Sequence, residues 1–257
     1  MHLAGHYDTL SRWGRPLDKA DRRRVEQTLA LVPAEVCTVL DLGCGDGTVS
    51  NALVARGVAV TGVDISREAL RFFSGKGVVA SLDHLPLPAR SFDLVICAEV
   101  LEHLSPGVYE RALAEIERVA KRWVIVSTPN REYLPAGLAA CAACGHRYHV
   151  DQHVRAMGLR EHRSLFRRCQ WVRTVKVGVW AHFPPLVALE HRLLRIYRAK
   201  EGVFCPACGQ PASVSHGHPF VERYVLRGLR WSTRLLPGMV KARWLVSLYR
   251  CVDDRTC

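Results

Sequence analysis

Val39-Leu-Asp-Leu-Gly-Cys-Gly-Asp-Gly47 is the stretch that decides the fold. A short apolar run from Cys37 to Leu42 stops at three closely spaced glycines, and a helical segment, Thr48 to Arg56, follows up to Gly57. A run of that length and composition suits a strand buried on both faces of a parallel sheet. Glycines are required where backbone turns tightly and lets a ligand approach closely. The helix start beyond them offers unpaired N–H groups to an anionic or polar ligand. The G-x-G-x-G spacing is neither a Walker loop nor the dinucleotide G-x-G-x-x-G. The next strand, Val58 to Asp64, ends on an acid that can accept hydrogen bonds from two vicinal ribose hydroxyls.

Outward from this loop the alternation continues. A polar lead precedes a helix with Asp18 or Asp21 near its start, running to about Pro33. Ser66 reads as the N-cap of a helix reaching Phe73, with Glu68 in its first turn. Val78–Ala80 is a short strand, Leu82–Ser91 a proline-punctuated loop and Phe92–Ala98 a strong strand. A helix from Pro106 to Ala120 places Leu113, Ile116 and Ala120 on one face, and Trp123–Ser127 is a fifth strand. Strands alternating with helices imply right-handed βαβ units and a parallel sheet covered on both faces. After Pro129 the texture changes. A helical stretch, Asp151 to Cys169, a strand, Trp171–Val179, and a final strand, Arg243–Tyr249, are expected among cysteine pairs, histidines and arginines.

Three motifs in order, Val39–Gly47, Val60-Thr-Gly-Val-Asp-Ile65 and Leu85-Pro-Leu-Pro through Phe92–Ala98 to Glu99-Val-Leu-Glu-His103, resemble the class I S-adenosylmethionine (SAM)-dependent methyltransferases. Within these the chain is similar to the group that includes the ubiquinone-type O-methyltransferases, over about residues 35–130. The resemblance implies a Rossmann-like α/β fold. Its seven-stranded sheet is mostly parallel with an antiparallel final strand, here carrying cysteine-rich insertions. It divides the chain into a helical lead (1–34), a SAM-binding core (35–130) and a basic Cys/His-rich substrate or lid region (131–257). That last region includes the final strands, about 171–179 and 243–249.

Carried over position by position, Gly43, Gly45 and Gly47 would shape the loop beside the methionine moiety, with Cys44 and Asp46 inside it. Asp41 would orient the cofactor's amino group, Asp64 would hold the ribose and Ile65 would pack on the adenine. At the adenine amino position many relatives carry an Asp where this chain has Ser81, beside Leu82. A hydroxyl accepts more weakly there than a carboxylate, and Asp83 is a possible substitute or a solvent-facing acid. Cys97 and Ala98 would line the cofactor's floor, with plain strand packing the other reading for Cys97. Glu99, Glu102 and His103 follow the fourth strand, where open α/β sheets bind ligands, and are the candidates for removing an acceptor proton. In a helical turn they would share a face, and some relatives place a divalent cation on such a run. The other reading is a local turn that hydrogen-bonds itself. Ser127-Thr-Pro-Asn130 reaches the same edge but lacks the Asn/Asp-Pro-Pro-Tyr/Phe motif of amino-methylating nucleic-acid enzymes.

Cys141-Ala-Ala-Cys144-Gly and Cys205-Pro-Ala-Cys208-Gly are two knuckles whose four thiolates suit a structural Zn²⁺. Parallel strands would send both excursions from one sheet edge. The alternative uses one pair with His146, His149 or His153. Cys37, Cys44, Cys169, Cys251 and Cys257 read as ordinary thiols. The opening residues lack a signal-peptide layout and no apolar run could span a bilayer, so a cytoplasmic location is expected.

Apolar content of 49% and charged content of 23% are ordinary, but the net charge is +12. Residues 1–128 carry 15 Lys and Arg against 16 Asp and Glu, whereas residues 129–257 carry 21 against 8. Arg223, Arg227, Arg230 and Arg234 form one stripe at helical spacing, opposite Val225, Leu229 and Leu236, with Trp231 beside it, and His191–Arg198 repeats the mix. Such helices suit a peripheral contact with an anionic membrane or acceptor, or simply a lid. The sequence therefore points to methyl transfer onto oxygen of a small-molecule, lipid-linked or saccharide acceptor. An RNA methyltransferase is the alternative, without a recognisable RNA-binding module or stacking aromatics. A non-catalytic SAM-binding partner protein is a third reading, opposed by the intact glycines and Asp64.

Overall fold

The computed structural model describes residues 13–181, 203–210 and 240–252, together with Tyr7 and Val187. The arginine stripe of 223–234, the segment 191–198 and Cys257 lie outside the described residues.

Helix α1 (Lys19–Leu29) starts where Asp18 accepts the Asp21 N–H at 2.7 Å, as an N-cap should. Strands β1 (Thr38–Leu42) and β2 (Ala59–Asp64) flank the glycine loop and the short helix α2 (Asn51–Val54). β3 (Lys76–Val79), β4 (Phe92–Ala98), helix α3 (Pro106–Val119) and β5 (Ala120–Pro129) continue the alternation. The expected helices at 48–56 and 66–73 are shorter, the second a single 3-10 turn (Ala69–Phe72). Ser66 Oγ still accepts the Ala69 N–H at 3.1 Å.

Beyond β5 come a small hairpin, β6 (Leu138–Ala140) and β7 (Arg147–His149), helix α4 (Leu159–Arg163) and β8 (Cys169–Val177). A two-stranded pair, β9 (Trp180–Ala181) with β10 (Val240–Lys241), precedes β11 (Trp244–Cys251). The helix expected over 151–169 is confined to α4. Residues before it give their backbone groups to neighbours instead: Val154 N–H to Glu102 O (2.8 Å) and Met157 O to the Arg131 N–H (2.6 Å). Tertiary partners outcompeted the local helix there.

The main sheet has the order β3-β2-β1-β4-β5-β11-β8. β1 to β5 pair in parallel, and β11 runs antiparallel between β5 and β8. Successive side chains alternate between two cores. Leu40, Val95 and Cys97 face α3 residues Ala112, Ile116 and Val119, while Val39, Leu94 and Ile96 join Val25 of α1 and Leu53 of α2. The order reverses between β1 and β4, which opens a crevice at their carboxyl ends.

Two pairings between the last strands were invisible in the sequence. Register sets Cys169 opposite Cys251, and the two form a disulfide rather than the free thiols expected from their isolated positions. Ser247 sits opposite Val126 and Thr174, inside a buried polar chain: Thr128 Oγ1 and Ser247 Oγ each lie 2.8 Å from a nitrogen of His162. Burial holds the His162 imidazole down at about 4, so it is neutral in the fold. The unfolded chain protonates this ring near 6.5 and the folded chain only near 4, so the stability it contributes is present above pH 6.5. That stability is lost as pH falls from there through 4, an expected cost of about 3 kcal/mol. Urea unfolding at pH 7, 5.5 and 4 should show this loss, and His162→Gln should flatten the pH slope even though it lowers stability at pH 7. An unchanged slope would refute the assignment.

Candidate functional site

The crevice is floored by the glycine loop. Gly43 and Cys44 N–H groups donate to Val63 O at 2.7 and 3.2 Å, which ties the loop to β2. Gly43, Gly45 and Gly47 hold φ of +68°, +54° and +81°, conformations that side chains resist. A Cβ on Gly43 would also collide with Val100, and one on Gly47 with Asn51. The Asp64 carboxylate accepts the Gly45 N–H on one oxygen and the Ser66 N–H on the other, both at 2.8 Å. Asp46 secures the loop from the other side, accepting from Thr48 Oγ1 (2.5 Å) and from the Gly14 N–H (2.9 Å) of the lead. Trp13 lies over Gly45, 3.0 Å from where a Cβ would stand.

A cavity of about 1200 Å³ opens above the loop. Asp41, Cys44, Asp64, Ile65, Ser81 and Leu82 all line it. Burial raises the Asp41 carboxyl to about 7 despite the 2.6 Å hydrogen bond from Ser50 Oγ. Cys97 is a correction. Strand alternation turns its fully buried side chain into the α3 core, and its neighbour Ala98 lines the cavity instead. Gly47 shapes the turn but is not part of the lining. Asp83 is no substitute for Ser81: it accepts from Ser81 Oγ and is clasped by Arg111 at 2.7 Å, which together hold its carboxyl below the usual range.

Arg24 was missed by the sequence reading. It is 8% exposed, lines the cavity, and its Nε has no hydrogen-bond partner among the described residues. The signal was present: Arg24, Val25 and Thr28 form the buried stripe of α1, an unusual place for a guanidinium.

The far wall is built from the chain beyond β4 and β5. Glu99, at φ +59°, does not share a helical face with Glu102 and His103. Its Oε1 accepts from Ser127 Oγ at 2.8 Å, while Glu102 and His103 sit in a 3-10 turn (Leu101–His103). Glu102 is 1% exposed, and neither carboxylate oxygen has a hydrogen-bond partner among the described residues. Burial, with Glu99 adding repulsion, pushes its carboxyl well above the usual range. Opposite stand Glu132, His149 and His153. Glu132 Oε2 bonds His153 Nδ1, and Oε1 lies 3.5 Å from His149 Nε2. Burial works to raise Glu132, but the two imidazoles overcome it and hold the carboxyl at about 2.

The two knuckles meet beside this wall. Cys141 Sγ lies 3.5 Å from Cys208 Sγ, Cys144 Sγ lies 3.7 Å from Cys205 Sγ, and all four sulfurs fall within 4.8 Å of one another. Each pair closes through the same turn, Gly145 N–H to Cys141 O (2.8 Å) and Gly209 N–H to Cys205 O (2.9 Å), with both glycines at φ +73°. Ala139, Tyr148, Val150 and Val203 form a small separate core around Cys141 and Cys205. Of the histidines weighed as rival ligands, His149 and His153 are turned to Glu132 instead.

Residues 40–126 match the family model described as a methyltransferase domain. Over that stretch the chain is similar to methyltransferase domains. Among curated proteins it is 34% identical over 147 residues to a ubiquinone biosynthesis O-methyltransferase of Albidiferax ferrireducens, covering 50% of this chain and 58% of that protein. It is 33% identical over 128 residues to the protein of the same name from Thiobacillus denitrificans, covering 46% and 55%. The chain thus spans little more than half the length of these relatives. The domain's fold aligns with a Burkholderia thailandensis 1,6-didemethyltoxoflavin-N1-methyltransferase solved with its acceptor and S-adenosylhomocysteine. The TM-score is 0.57 at 18% identity, over 97% of this chain and 88% of that one.

Proposed function

We propose that the protein binds SAM in the cavity above Gly43–Gly47 and transfers its methyl group to an oxygen of a small acceptor. The observation that carries this reading is Asp64, whose two oxygens are pinned by the Gly45 and Ser66 N–H groups at the lip of the cavity above the glycine loop. Ribose hydroxyls would donate to the Asp64 carboxylate, Ser81 would accept from the adenine amino group, and Asp41 would face the cofactor's ammonium. Arg24 would receive the methionine carboxylate: its guanidinium reaches Asp21 only at 3.4 Å and its buried Nε has no acceptor among the described residues, which is costly. The names of the curated relatives favour oxygen as the acceptor atom. In this division of labour residues 35–130 hold the cofactor, the lead of 1–34 covers it, and the acceptor meets the insertions of 131–257. The four knuckle thiolates would hold a structural Zn²⁺, for which their number, type and mutual approach are suited.

Methyl transfer from a sulfonium is an in-line displacement, so alignment of the acceptor oxygen behind the methyl group supplies most of the acceleration. Calorimetric titration with SAM and S-adenosylhomocysteine tests the cofactor half of the reading; no binding at millimolar ligand would end it. Arg24→Met is expected to weaken S-adenosylhomocysteine by about 10- to 100-fold, the worth of a charged hydrogen bond, with Arg24→Lys between. Equal affinity of all three would remove Arg24 from the site.

A further inference from the structure

We propose that Arg243, stacked on Trp244 in the wall of the cavity, binds an anionic group, a carboxylate or phosphate, carried by the methyl acceptor. That the second molecule is a methyl acceptor rests on the methyl-transfer reading; the anion site itself does not.

The pair is built into the sheet. Trp244 opens β11 opposite Pro129 of β5 and Val177 of β8, and it is 3% exposed. The Arg243 N–H donates to Val177 O at 3.0 Å, and the Arg243 carbonyl accepts the Asn130 N–H at 2.8 Å. Gly178, at φ +66°, passes so close that a Cβ there would stand 3.2 Å from both Arg243 Cβ and Trp244 Cζ3. Backbone on both sides thus fixes where the guanidinium lies, 4.0 Å from the centre of the indole. Stacking covers a face of the guanidinium and leaves its in-plane N–H fork for an acceptor, a geometry that suits carboxylate and phosphate.

Nothing described claims that fork. Arg243 has no ion pair and no side-chain hydrogen bond among the described residues, and both it and Trp244 line the cavity. Asp18 feels its charge, but the Asp18 carboxylate is committed to capping α1. The Asp21 N–H it accepts at 2.7 Å is the chief reason its carboxyl sits below the usual range, with Arg243 adding to the effect. Arg163 over Trp171 and Arg250 over Trp123 are stacked in the same way but lie outside the cavity lining.

Arg24 supplies an independent observation. It is 8% exposed, its Nε has no partner among the described residues, and its guanidinium lies 5.5 Å from the centre of the same indole. Two guanidiniums beside one buried ring repel each other, and each calls for its own anion. Among the described residues only Asp21, at 3.4 Å from Arg24, pairs with either of them. The methionine carboxylate would answer Arg24, which leaves the second anion to another molecule. The cavity has room for one: its volume of about 1200 Å³ exceeds the ~300–1,000 Å³ of pockets that hold a single small ligand. β11 also stands three strand spacings, roughly 14 Å, from β1. Arg243 is therefore on the side that a cofactor seated on Asp64 and the glycine loop leaves open.

The test is ligand-observed NMR titration of the full chain with benzoate and with inorganic phosphate, in the presence and absence of S-adenosylhomocysteine. At least one of the two anions is expected to bind the wild type, and which one does so distinguishes a carboxylate from a phosphate acceptor. Arg243→Met should weaken that binding by about 10- to 100-fold, the worth of a charged hydrogen bond. Arg243→Lys should fall between, since an ammonium keeps the charge but not the fork. Arg250→Met removes a stacked charge outside the cavity and should change nothing. Circular dichroism and melting curves check that each variant is folded. Failure of both anions to bind the wild type, equal binding by Arg243→Met, or an equal loss in Arg250→Met would each overturn the proposal. So would a loss in Arg243→Met of affinity for S-adenosylhomocysteine but not for methylthioadenosine, which has no carboxylate, because the anion would then be the cofactor's own. If the anion binds through Arg243 while S-adenosylhomocysteine fails to bind the wild type, the anion site stands and the methyltransferase reading falls.

Discussion

Asp64→Ala is expected to weaken S-adenosylhomocysteine binding by about 100- to 10,000-fold, the equivalent of two hydrogen bonds to a charged acceptor at roughly 1.5–3 kcal/mol each. The effect has two sources. The ribose loses its acceptors, and the Gly45 and Ser66 N–H groups lose theirs, so the loop is no longer held in its left-handed geometry. Asp64→Asn should be no milder. Its single carbonyl oxygen can serve one of the two N–H donors, while its NH₂ group must face the other. Asp83→Asn is the control. Its carboxylate is engaged by Ser81 and Arg111, so affinity should stay within about threefold, under 1 kcal/mol. Calorimetry on the three variants decides the matter, and affinity within tenfold of wild type for Asp64→Ala would refute the assigned role.

Cys205→Ser is expected to remove one equivalent of zinc and to unfold the insertion while sparing the cofactor site. Binding free energies of structural zinc in small finger peptides are about 10–16 kcal/mol, and the apolar group around Cys205 among the described residues is too small to stand in for them. That group is Ala139, Cys141, Tyr148, Val150, Val203 and Cys205, set apart from the two cores of the sheet. Elemental analysis, a melting curve and limited proteolysis of the 138–150 hairpin read the effect. S-adenosylhomocysteine affinity should change little, because Asp64 and the glycine loop are carried by β1 and β2. A wild-type chain without zinc, and a Cys205→Ser variant with the same melting curve, would dispose of the zinc reading.

The parts of the fold legible in the sequence are those set by local pattern. Apolar runs ending at Gly43 and Asp64 gave β1 and β2 to within a residue, and Phe92–Ala98 is β4 without correction. Asp18 caps α1 as its side-chain chemistry requires. What was not legible depends on pairing across the chain. The Cys169–Cys251 disulfide needs the register of β8 against β11, and the residues from 151 to 158 lost their helix to backbone partners on Glu102 and Arg131. The site divides in the same way. The glycine loop and Asp64 are a contiguous motif, whereas Arg24, Glu132 and His153 reach the cavity from three separate segments. Glu99 was misjudged because a left-handed residue at the end of β4 breaks the i, i+3 spacing that was assumed for it.

The position of β11 bears on how the chain is made. Of the described strands, β11 is the latest in sequence, yet it lies not at the rim of the sheet but between β5 and β8. β1 to β5 are complete much earlier, yet until residues 244–251 emerge β5 lacks its β11 neighbour, and β8 has no neighbour in the main sheet among the described strands. Nascent chains would thus hold a formed cofactor loop beside an open strand, the kind of edge that recruits foreign strands and favours aggregation. Deletion of residues 244–251 would trap the molecule in that half-closed state.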